Sequence, residues 1–306
     1  MMAQAVLTPR QRALSRAIKR KIRNTILVTP LVADVFLHHW NFLSRVRACR
    51  GAYSSYSEAE AACRAFEHVA NIESWLCGPQ IIGEPTHMRK RDYPILLWLA
   101  GCLKEDSQIL NLGGNVGAEY FTYRQFLHFP PGLRWLVWEL PHAVKFGKHL
   151  AHTLDAPGLA FTTRLEDGSG ADIVITCGAL QYFEQDLATC LKRLRTRPPR
   201  LFINRVPLYE GETFYTIQNT PGSIVPYRIQ NRQELVDSLT ELGYHLVDCW
   251  HEELDIVIPF HPAKRVREFY GFYFVLNDMA KPDWRAKAVA TALQIHKQIS
   301  IPCEAA

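Results

Sequence analysis

From Gln108 onward the sequence alternates short apolar runs with stretches of helical periodicity, and few folds are compatible with this alternation. It is typical of a parallel sheet whose strands are joined by crossover helices. The predicted strands are Gln108–Leu112, Arg134–Glu139, Leu159–Thr162, Asp172–Thr176, Arg200–Val206, Tyr244–His251 and Arg267–Leu276. The predicted helices are Ala118–Phe126, Ala143–Thr153, Gln185–Thr196 and Asn231–Leu242. The sequence therefore predicts an α/β protein with a doubly wound sheet of seven strands.

The last two predicted strands are joined by a segment, Glu252–Lys264, that lacks helical periodicity and contains Pro259 and Pro262. Because no crossover helix fits between these strands, we expect them to pair as an antiparallel hairpin. The sheet would then contain one antiparallel strand, which we place at the sheet edge.

The residues before the sheet carry helical patterns. Ser57 and Glu60 have the spacing of a capping box, which predicts a helix that begins there and continues to about Leu76. The segment Tyr93–Lys104 is apolar on nearly every side and is predicted to be a buried helix. The predicted divisions are a basic helical N-terminal arm or extension (1–50), a helical cap or lid (51–106), the sheet core (107–280) and a C-terminal helix or tail (281–306).

The formal charge of +5 is unevenly distributed along the chain. Residues 1–50 hold ten lysine and arginine residues against the single acid Asp34, a net charge of +9, which leaves −4 for residues 51–306. The slightly acidic main body argues against nucleic acid as a partner. Residues 7–23 alternate apolar and basic side chains at helical spacing, so this segment either docks peripherally on an anionic membrane or forms a solvated arm.

The eight cysteines are scattered, with no pair at the two-residue spacing of zinc and redox sites, and the histidines show no metal-ligand spacing. No apolar run reaches the ~18 residues that a membrane-spanning helix requires. We therefore expect reduced thiols, no metal, and a cytoplasmic protein that is at most peripheral at the inner membrane.

The first predicted strand ends in a glycine-rich turn, and the second ends in an acid. Gly113, Gly114 and Gly117 lie between the first strand and its helix, where the backbone can approach a ligand closely. Glu139 stands 22 residues after Gly117 at the end of the second strand. In a doubly wound fold this is where an acid meets the hydroxyls of a nucleoside ribose. The two features together predict a nucleoside cofactor.

The spacing of the glycines argues against a dinucleotide cofactor. The dinucleotide fingerprint G-x-G-x-x-G does not match glycines at 113, 114 and 117. None of the 12 tyrosines has a lysine four residues later, the pair on which the short-chain reductases and epimerases rely. A plain dinucleotide fold also lacks the predicted C-terminal hairpin.

With these features the chain resembles the class I S-adenosylmethionine-dependent methyltransferases, whose Rossmann-like sheet ends in such a hairpin. More narrowly, it is similar to an uncharacterised bacterial methyltransferase-like family associated with surface polysaccharide gene clusters. The resemblance extends from about Gly51 to Leu276. It rests on Gly51-Ala52-Tyr53-Ser54-Ser55, Tyr93-Pro94, the Leu110–Gly117 loop, Ala179-Leu180-Gln181-Tyr182 and the segment from Arg228 to Trp250.

The resemblance implies S-adenosyl-L-methionine as cofactor and assigns residues to it. The implied cofactor-binding residues are Gly113, Gly114, Asn115, Gly117, Glu139, Leu140, Thr163, Cys177 and Gly178. In this assignment Glu139 binds the ribose, Leu140 packs near the adenine, and Cys177 and Gly178 pass beneath the sulfonium. The chain departs from the family pattern at Asn111, where an acid is usual, and at Asn115, where glycine is usual.

The acceptor is expected at the carboxyl ends of the fourth and fifth strands. The predicted catalytic residues are Tyr182, His142 and Arg205, and the candidates for the base are His142, Glu210 and Tyr182. The insertion Pro207–Gln230 is predicted to form a lid or substrate wall, with Gln218, Tyr227 and Arg228 as substrate-binding residues. Arg205 and Arg228 could bind a carboxylate or phosphate, whereas the alternative for Arg205 is a surface pair with Glu210 or Glu212.

The sequence thus predicts an S-adenosylmethionine-dependent methyltransferase that acts on a small-molecule or glycan acceptor. The family resemblance specifies this further as O-methylation of a sugar or small metabolite in surface glycan biosynthesis. The alternative is a non-catalytic methyltransferase-like protein that serves as a partner-binding subunit, which the substitutions Asn111 and Asn115 favour.

Overall fold

The computed structural model describes residues 42–43, 45–66 and 89–277. The predictions for the segment 7–23, for the helix beyond residue 66 and for the tail 281–306 lie outside the described residues.

Ten strands and six α-helices are described. The strands are β1 (Cys49–Tyr53), β2 (Gln108–Leu112), β3 (Arg134–Trp138), β4 (Leu159–Thr162), β5 (Ile173–Cys177), β6 (Arg200–Tyr209), β7 (Phe214–Thr220), β8 (Ser223–Asn231), β9 (Tyr244–Ile256) and β10 (Val266–Leu276). The helices are α1 (Tyr56–Arg64), α2 (Tyr93–Ala100), α3 (Ala118–Tyr123), α4 (Pro141–Thr153), α5 (Leu187–Lys192) and α6 (Arg232–Glu241). Short 3₁₀ turns lie at Lys90–Asp92, Leu165–Gly168, Leu180–Tyr182 and Pro262–Lys264.

Seven strands form the core sheet in the order β4-β3-β2-β5-β6-β10-β9. The first five are parallel to one another, and β10 is antiparallel to both of its neighbours. From β2 the chain builds outward to β3 and β4, and then returns to the other side of β2 with β5. This reversal creates a topological switch point between β2 and β5, where ligands bind in open α/β sheets. The predicted doubly wound, Rossmann-like α/β fold with one antiparallel strand is confirmed.

The predicted place of the reversed strand is wrong. β10 lies inside the sheet between β6 and β9, and β9 forms the edge. The physical reason is burial: the four consecutive residues Phe272–Val275 of β10 are all buried, which requires a strand on either side. β9 instead alternates exposed and partly buried side chains, as expected at a solvated edge.

The insertion between β6 and α6 is a β-hairpin. Its strands β7 and β8 pair antiparallel from Phe214–Ile229 to Thr220–Ser223, and β1 pairs with β7. The end of β6 joins this small sheet through Leu208 and Gln230. β6 therefore belongs to two sheets, since its first half pairs with β5 and its last two residues pair with β8.

Two predicted helices differ from those observed. The N-cap of α1 is Ser55, whose side chain accepts the N–H of Glu58, and the Glu58 carboxylate accepts the N–H of Ser54. The predicted cap at Ser57 and Glu60 is therefore wrong by two residues. The predicted buried helix ends at Ala100, and it is not buried all round: Ile95, Leu96 and Leu99 are buried, while Tyr93 and Leu97 are exposed.

Candidate functional site

The glycine-rich turn after β2 packs directly against the loop after β5. Gly113 has φ +68°, and a Cβ at this position would lie 2.3 Å from the Cβ of Ala179. Asn115 also adopts positive φ, at 51°, a conformation that asparagine tolerates better than most residues. The turn is thus held close to the switch point by packing that only glycine permits at position 113.

Glu139 joins this turn to the end of β3. Its carboxylate accepts the N–H of Asn115 at 3.2 Å and the N–H of Leu140 at 2.7 Å. Burial raises the pKa of Glu139, and the two N–H donors oppose that shift. Leu140 beside it is 55% exposed. A carboxylate and an accessible apolar side chain therefore stand together where the sequence predicts a ribose and an adenine.

The other residues predicted to bind the cofactor lie around the same edge of the sheet. Thr163 is exposed after β4, and its carbonyl accepts the indole N–H of Trp138 at 3.2 Å. Cys177 ends β5 and is buried, which raises the pKa of its thiol well above the ordinary value. Gly178 follows with φ +73° and donates its N–H to the Asn204 carbonyl.

A buried asparagine positions a carboxylate at the end of β2. Asn111 is fully buried, and its side-chain N–H donates to the carboxylate of Glu119 at 3.0 Å. Burial raises the pKa of Glu119 to about 7, and the hydrogen bond from Asn111 opposes the shift. Glu119 was not among the residues predicted from the sequence. Its position two residues after Gly117, in the first turn of α3, could have identified it as a residue close to the glycine-rich turn.

A second asparagine, Asn204, positions a second carboxylate at the point where β6 stops pairing with β5. The Asn204 side-chain N–H donates to Asp92 at 3.1 Å, and its side-chain carbonyl accepts the indole N–H of Trp250 at 3.1 Å. Gly271 makes this possible, because a Cβ there would lie 2.2 Å from the Trp250 ring. Burial raises the pKa of Asp92, while Arg91 and Arg205 lower it. Asp92 was also missed; it directly precedes the Tyr93-Pro94 pair.

The two carboxylates flank the end of β5. Asn111 pairs with Ile175, and Asn204 pairs with Cys177. After burial itself, the charges of Glu119 and Asp92 are the next largest causes of the raised pKa of Cys177. The structure therefore brings together, at the switch point, two acids that are 27 residues apart in the sequence.

Arg205 lies at a β-bulge where β6 leaves β5. Ile203 pairs with Phe272 and Val206 with Tyr270, so Asn204 and Arg205 together face the single residue Gly271. Arg205 has φ +60°, which is strained for a residue with a side chain. Its Nε is buried and has no hydrogen-bond partner among the described residues. The alternative surface pair is not observed, because Glu210 forms an ion pair with Arg232 at 3.0 Å.

The remaining predicted residues form a buried contact between the hairpin and the turn after β5. The Tyr182 hydroxyl donates to Gln218 at 2.8 Å, and its ring packs edge-on against Tyr227 with centroids 5.3 Å apart. Burial raises the pKa of Tyr182 to about 12. The buried Arg228 donates to the carbonyls of Leu180 and Gln185. The structure thus gives these side chains partners within the protein.

His142 lies apart from this contact. It is in the first turn of α4, on the cofactor side, where its charge lowers the pKa of Glu139. Its Nε2 is buried without a hydrogen-bond partner in the described part of the chain.

Within residues 42–43, 45–66 and 89–277, no group of three or more His, Cys, Asp or Glu side chains is arranged to hold a metal ion. Over the same residues, no helix has the length and apolar character needed to cross a membrane. The six described cysteines are free thiols.

No protein-family model matches the chain, and no curated protein matches it. Among solved structures, the chain is similar to a SAM-dependent methyltransferase from Methanosarcina mazei, with 14% identity and a TM-score of 0.43 over 58% of this chain and 96% of that chain. It is similar to a SAM-dependent methyltransferase from Aquifex aeolicus, with 14% identity and a TM-score of 0.40 over 64% and 98% of the two chains. It is also similar to Burkholderia thailandensis 1,6-didemethyltoxoflavin-N1-methyltransferase with bound 1,6-didemethyltoxoflavin and S-adenosylhomocysteine, with 19% identity and a TM-score of 0.45 over 76% and 97%.

Proposed function

We propose that this chain is an S-adenosylmethionine-dependent methyltransferase that acts on a small-molecule acceptor. The observation that carries the proposal is the contact between the Glu139 carboxylate and the Asn115 N–H, which joins the glycine-rich turn to the acid after β3 beside the switch point. A nucleoside in this position meets a carboxylate for its ribose hydroxyls and an exposed leucine for its base.

The residues present fit such a cofactor. Each Glu139 oxygen accepts one backbone N–H and retains capacity to accept a ribose hydroxyl. The Asn115 side-chain oxygen is buried without a partner among the described residues, so an acceptor is available at the turn. Glu119 and Asp92 place two carboxyl groups with raised pKa values near the end of β5, and a ligand that carries cationic groups would stabilise their charged forms.

When bound, S-adenosylmethionine supplies an electrophilic methyl group on a sulfonium. The task of the protein is mainly to align the acceptor in line with that group and to receive the acceptor's proton. Of the three sequence candidates for the base, Glu210 is exposed and paired with Arg232, Tyr182 is committed to Gln218, and His142 lies on the cofactor side. Asp92 is better placed, because Asn204 fixes its carboxylate beside the crevice.

The role of Asp92 is tested by Asp92→Asn, which keeps the shape of the side chain and removes its basicity. With an acceptor in hand, we expect kcat to fall at least 100-fold and the affinity for S-adenosylhomocysteine to change less than threefold. Asn204→Ala should give a smaller loss of kcat, because it only frees the carboxylate to rotate. Unchanged kcat in Asp92→Asn would remove Asp92 from the reaction.

The family resemblance specifies the reaction further, as O-methylation of a sugar or small metabolite for a surface glycan. The cytoplasmic location and the division of the chain at residues 50, 106 and 280 are proposals from the sequence patterns. Comparing methyl transfer to a sugar phosphate and to the same molecule without the acceptor hydroxyl tests O-methylation, since an O-methyltransferase requires that hydroxyl.

The alternative function is a non-catalytic, partner-binding subunit, and measuring cofactor binding distinguishes it from a methyltransferase. Isothermal titration with S-adenosylhomocysteine should show one site in the parent protein. Glu139→Ala should weaken that binding by ~1.5–3 kcal/mol, the range for a charged hydrogen-bond partner. Glu241→Ala, an exposed acid at the end of α6, is the matched control and should bind like the parent. Absence of binding, or tight binding of NAD instead, would overturn the methyltransferase proposal.

A further inference from the structure

We propose that the acceptor carries an anionic oxygen group, a phosphate or a carboxylate, and that Arg205 and Arg89 bind it at the carboxyl ends of β5 and β6. This inference rests on the proposed function, since it assigns a substrate class to the acceptor side of the same crevice.

The first argument is the backbone of Arg205. A bulge that holds a residue with a side chain at φ +60° is costly, and glycine would fill this position without strain. The bulge directs the side chain over the loop after β5, where a Cβ on Gly178 would lie 3.2 Å from the Arg205 guanidinium carbon. A strained residue that aims a charged group over a crevice is typical of a binding site.

The second argument is that no described residue accepts a hydrogen bond from the Arg205 guanidinium, although its charge lowers the pKa of Asp92. The nearby acids are engaged elsewhere: Asp92 accepts from Asn204, Glu119 accepts from Asn111, and Glu252 accepts from Arg91. No hydrogen bond or ion pair joins the Arg205 side chain to another described residue, and its Nε is buried. A buried Nε without an acceptor is unfavourable, so a ligand oxygen bound to this guanidinium would stabilise it.

The third argument is that several arginine side chains lie close together at this end of the sheet. Arg89 directly precedes the 3₁₀ turn Lys90–Asp92, which Asn204 holds at the end of β6 by donating to the Arg91 carbonyl and to Asp92. Burial and the positive charges of Arg91 and Arg205 lower the pKa of the Arg89 guanidinium, and Asp92 and Glu119 oppose that shift. No hydrogen bond joins the Arg89 side chain to another residue of the described segments. The nearby carboxylates of Asp92 and Glu119 are hydrogen-bonded to asparagine side chains rather than to these arginines. Arg89 and Arg205 therefore keep donors that phosphate and carboxylate oxygens accept. Arg228, the other sequence candidate for an anion, is instead bonded to two backbone carbonyls.

The experiment measures anion binding to the full-length protein saturated with S-adenosylhomocysteine. The probes are inorganic phosphate and acetate, each titrated by calorimetry against chloride at the same ionic strength. We expect saturable binding of at least one probe at millimolar concentration or tighter, and the stronger probe identifies the class of anion. In Arg205→Gly and in Arg89→Gln this binding should weaken at least fivefold. Arg193→Gln, which removes an exposed arginine paired with Glu166, should leave it unchanged.

Arg205→Gly is chosen because it removes both the guanidinium and the backbone strain. We expect its melting temperature to equal or exceed that of the parent, so weaker anion binding would not come from unfolding. Equal anion affinity in the parent and Arg205→Gly, or saturation by neither probe, would overturn the proposal. Binding of S-adenosylhomocysteine is measured in the same series. If the cofactor product binds and the anions do not, the anion site fails while the proposed function stands. If the cofactor product does not bind, the proposed function fails, and the assignment of the anion to a methyl acceptor fails with it, whether or not the anions bind the protein alone.

Discussion

Two asparagine side chains, Asn111 and Asn204, each hold a carboxylate at the end of a sheet strand. An amide can donate to a carboxylate without adding charge, so it fixes the orientation of the acid without neutralising it. An arginine at either place would neutralise the acid instead. Asn111 is not itself an acid, yet the end of β2 has a carboxyl group beside it, because Glu119 supplies one from α3.

The raised pKa of Glu119 predicts a pH dependence of stability. Because its pKa is about 7 in the folded protein against an ordinary 4.5, the folded state holds the proton more tightly than the unfolded state. Stability should therefore fall as the pH rises from about 4.5 to about 7, by at most about 3 kcal/mol from this group. Glu119→Gln should remove that part of the fall, as urea unfolding at pH 5 and pH 8 would measure.

Asp92 has a raised pKa as well, so Asp92→Asn is the comparison that separates the two acids. Glu241→Gln, which changes an exposed acid, should leave the difference between pH 5 and pH 8 as in the parent. A Glu119→Gln variant with the full pH dependence of the parent would contradict the assignment.

Among the elements, the β7–β8 hairpin contacts the core through the 3₁₀ turn after β5. Tyr182 in that turn packs against Tyr227 and bonds to Gln218, both in the hairpin. Arg228 in β8 completes the contact by donating to the carbonyl of Leu180. The hairpin therefore supports the loop that follows β5, and with it one wall of the crevice.

This contact predicts a large effect of Arg228→Ala. The change removes a buried side chain and leaves the carbonyls of Leu180, which is buried, and Gln185 without their donor, so we expect a loss of about 2–4 kcal/mol in the free energy of unfolding. Hydrogen exchange at the Tyr182 amide should also accelerate. Arg232→Ala removes an exposed arginine from an ion pair with Glu210 and should cost less than about 1 kcal/mol. Equal losses in the two variants would show that Arg228 does not hold the turn.

The core elements could be predicted because each has its own local pattern. The strand Gln108–Leu112 is apolar and bounded by turn signals, and the Asn231 cap and the Gly243 stop delimit α6. The position of β10 could not be predicted, because it depends on which strand of the hairpin is buried on both sides. The hairpin inserted between β6 and α6 was missed as structure because many residues of its two strands are polar, and their burial depends on contacts with distant parts of the chain.

The site was predictable only where spacing along the chain encodes it. The position of Glu139 in the site could be predicted from its sequence distance to the glycine-rich turn, since both belong to one strand–helix–strand unit. Asp92 is 112 residues from Asn204, and no spacing rule connects an acid in an N-terminal turn to the end of the fifth core strand. The strain at Arg205 has no signal in the sequence, because arginine rarely adopts positive φ.

Over the whole sequence, the charge is separated into a basic segment, residues 1–50, and a slightly acidic remainder. From this separation we predict that residues 7–23 bind anionic membranes. The protein should co-sediment with anionic vesicles at low salt, and binding should weaken steeply as salt rises. Deletion of residues 1–25 should abolish vesicle binding and leave the affinity for S-adenosylhomocysteine unchanged. Failure to co-sediment at low salt would leave the solvated arm as the interpretation.

The strand β6 belongs to both the core sheet and the small sheet, and this determines which part of the molecule could move. Its first half pairs with β5, Val206 and Pro207 pair with β10 beyond the bulge at Arg205, and its last two residues pair with β8. Core strands therefore hold β6 on both sides of the bulge, so the Arg205 backbone does not turn with the small sheet. Any rotation of the small sheet would bend β6 beyond Pro207 and would leave the Arg205 guanidinium in place, together with the strand ends that carry Asn111 and Glu139.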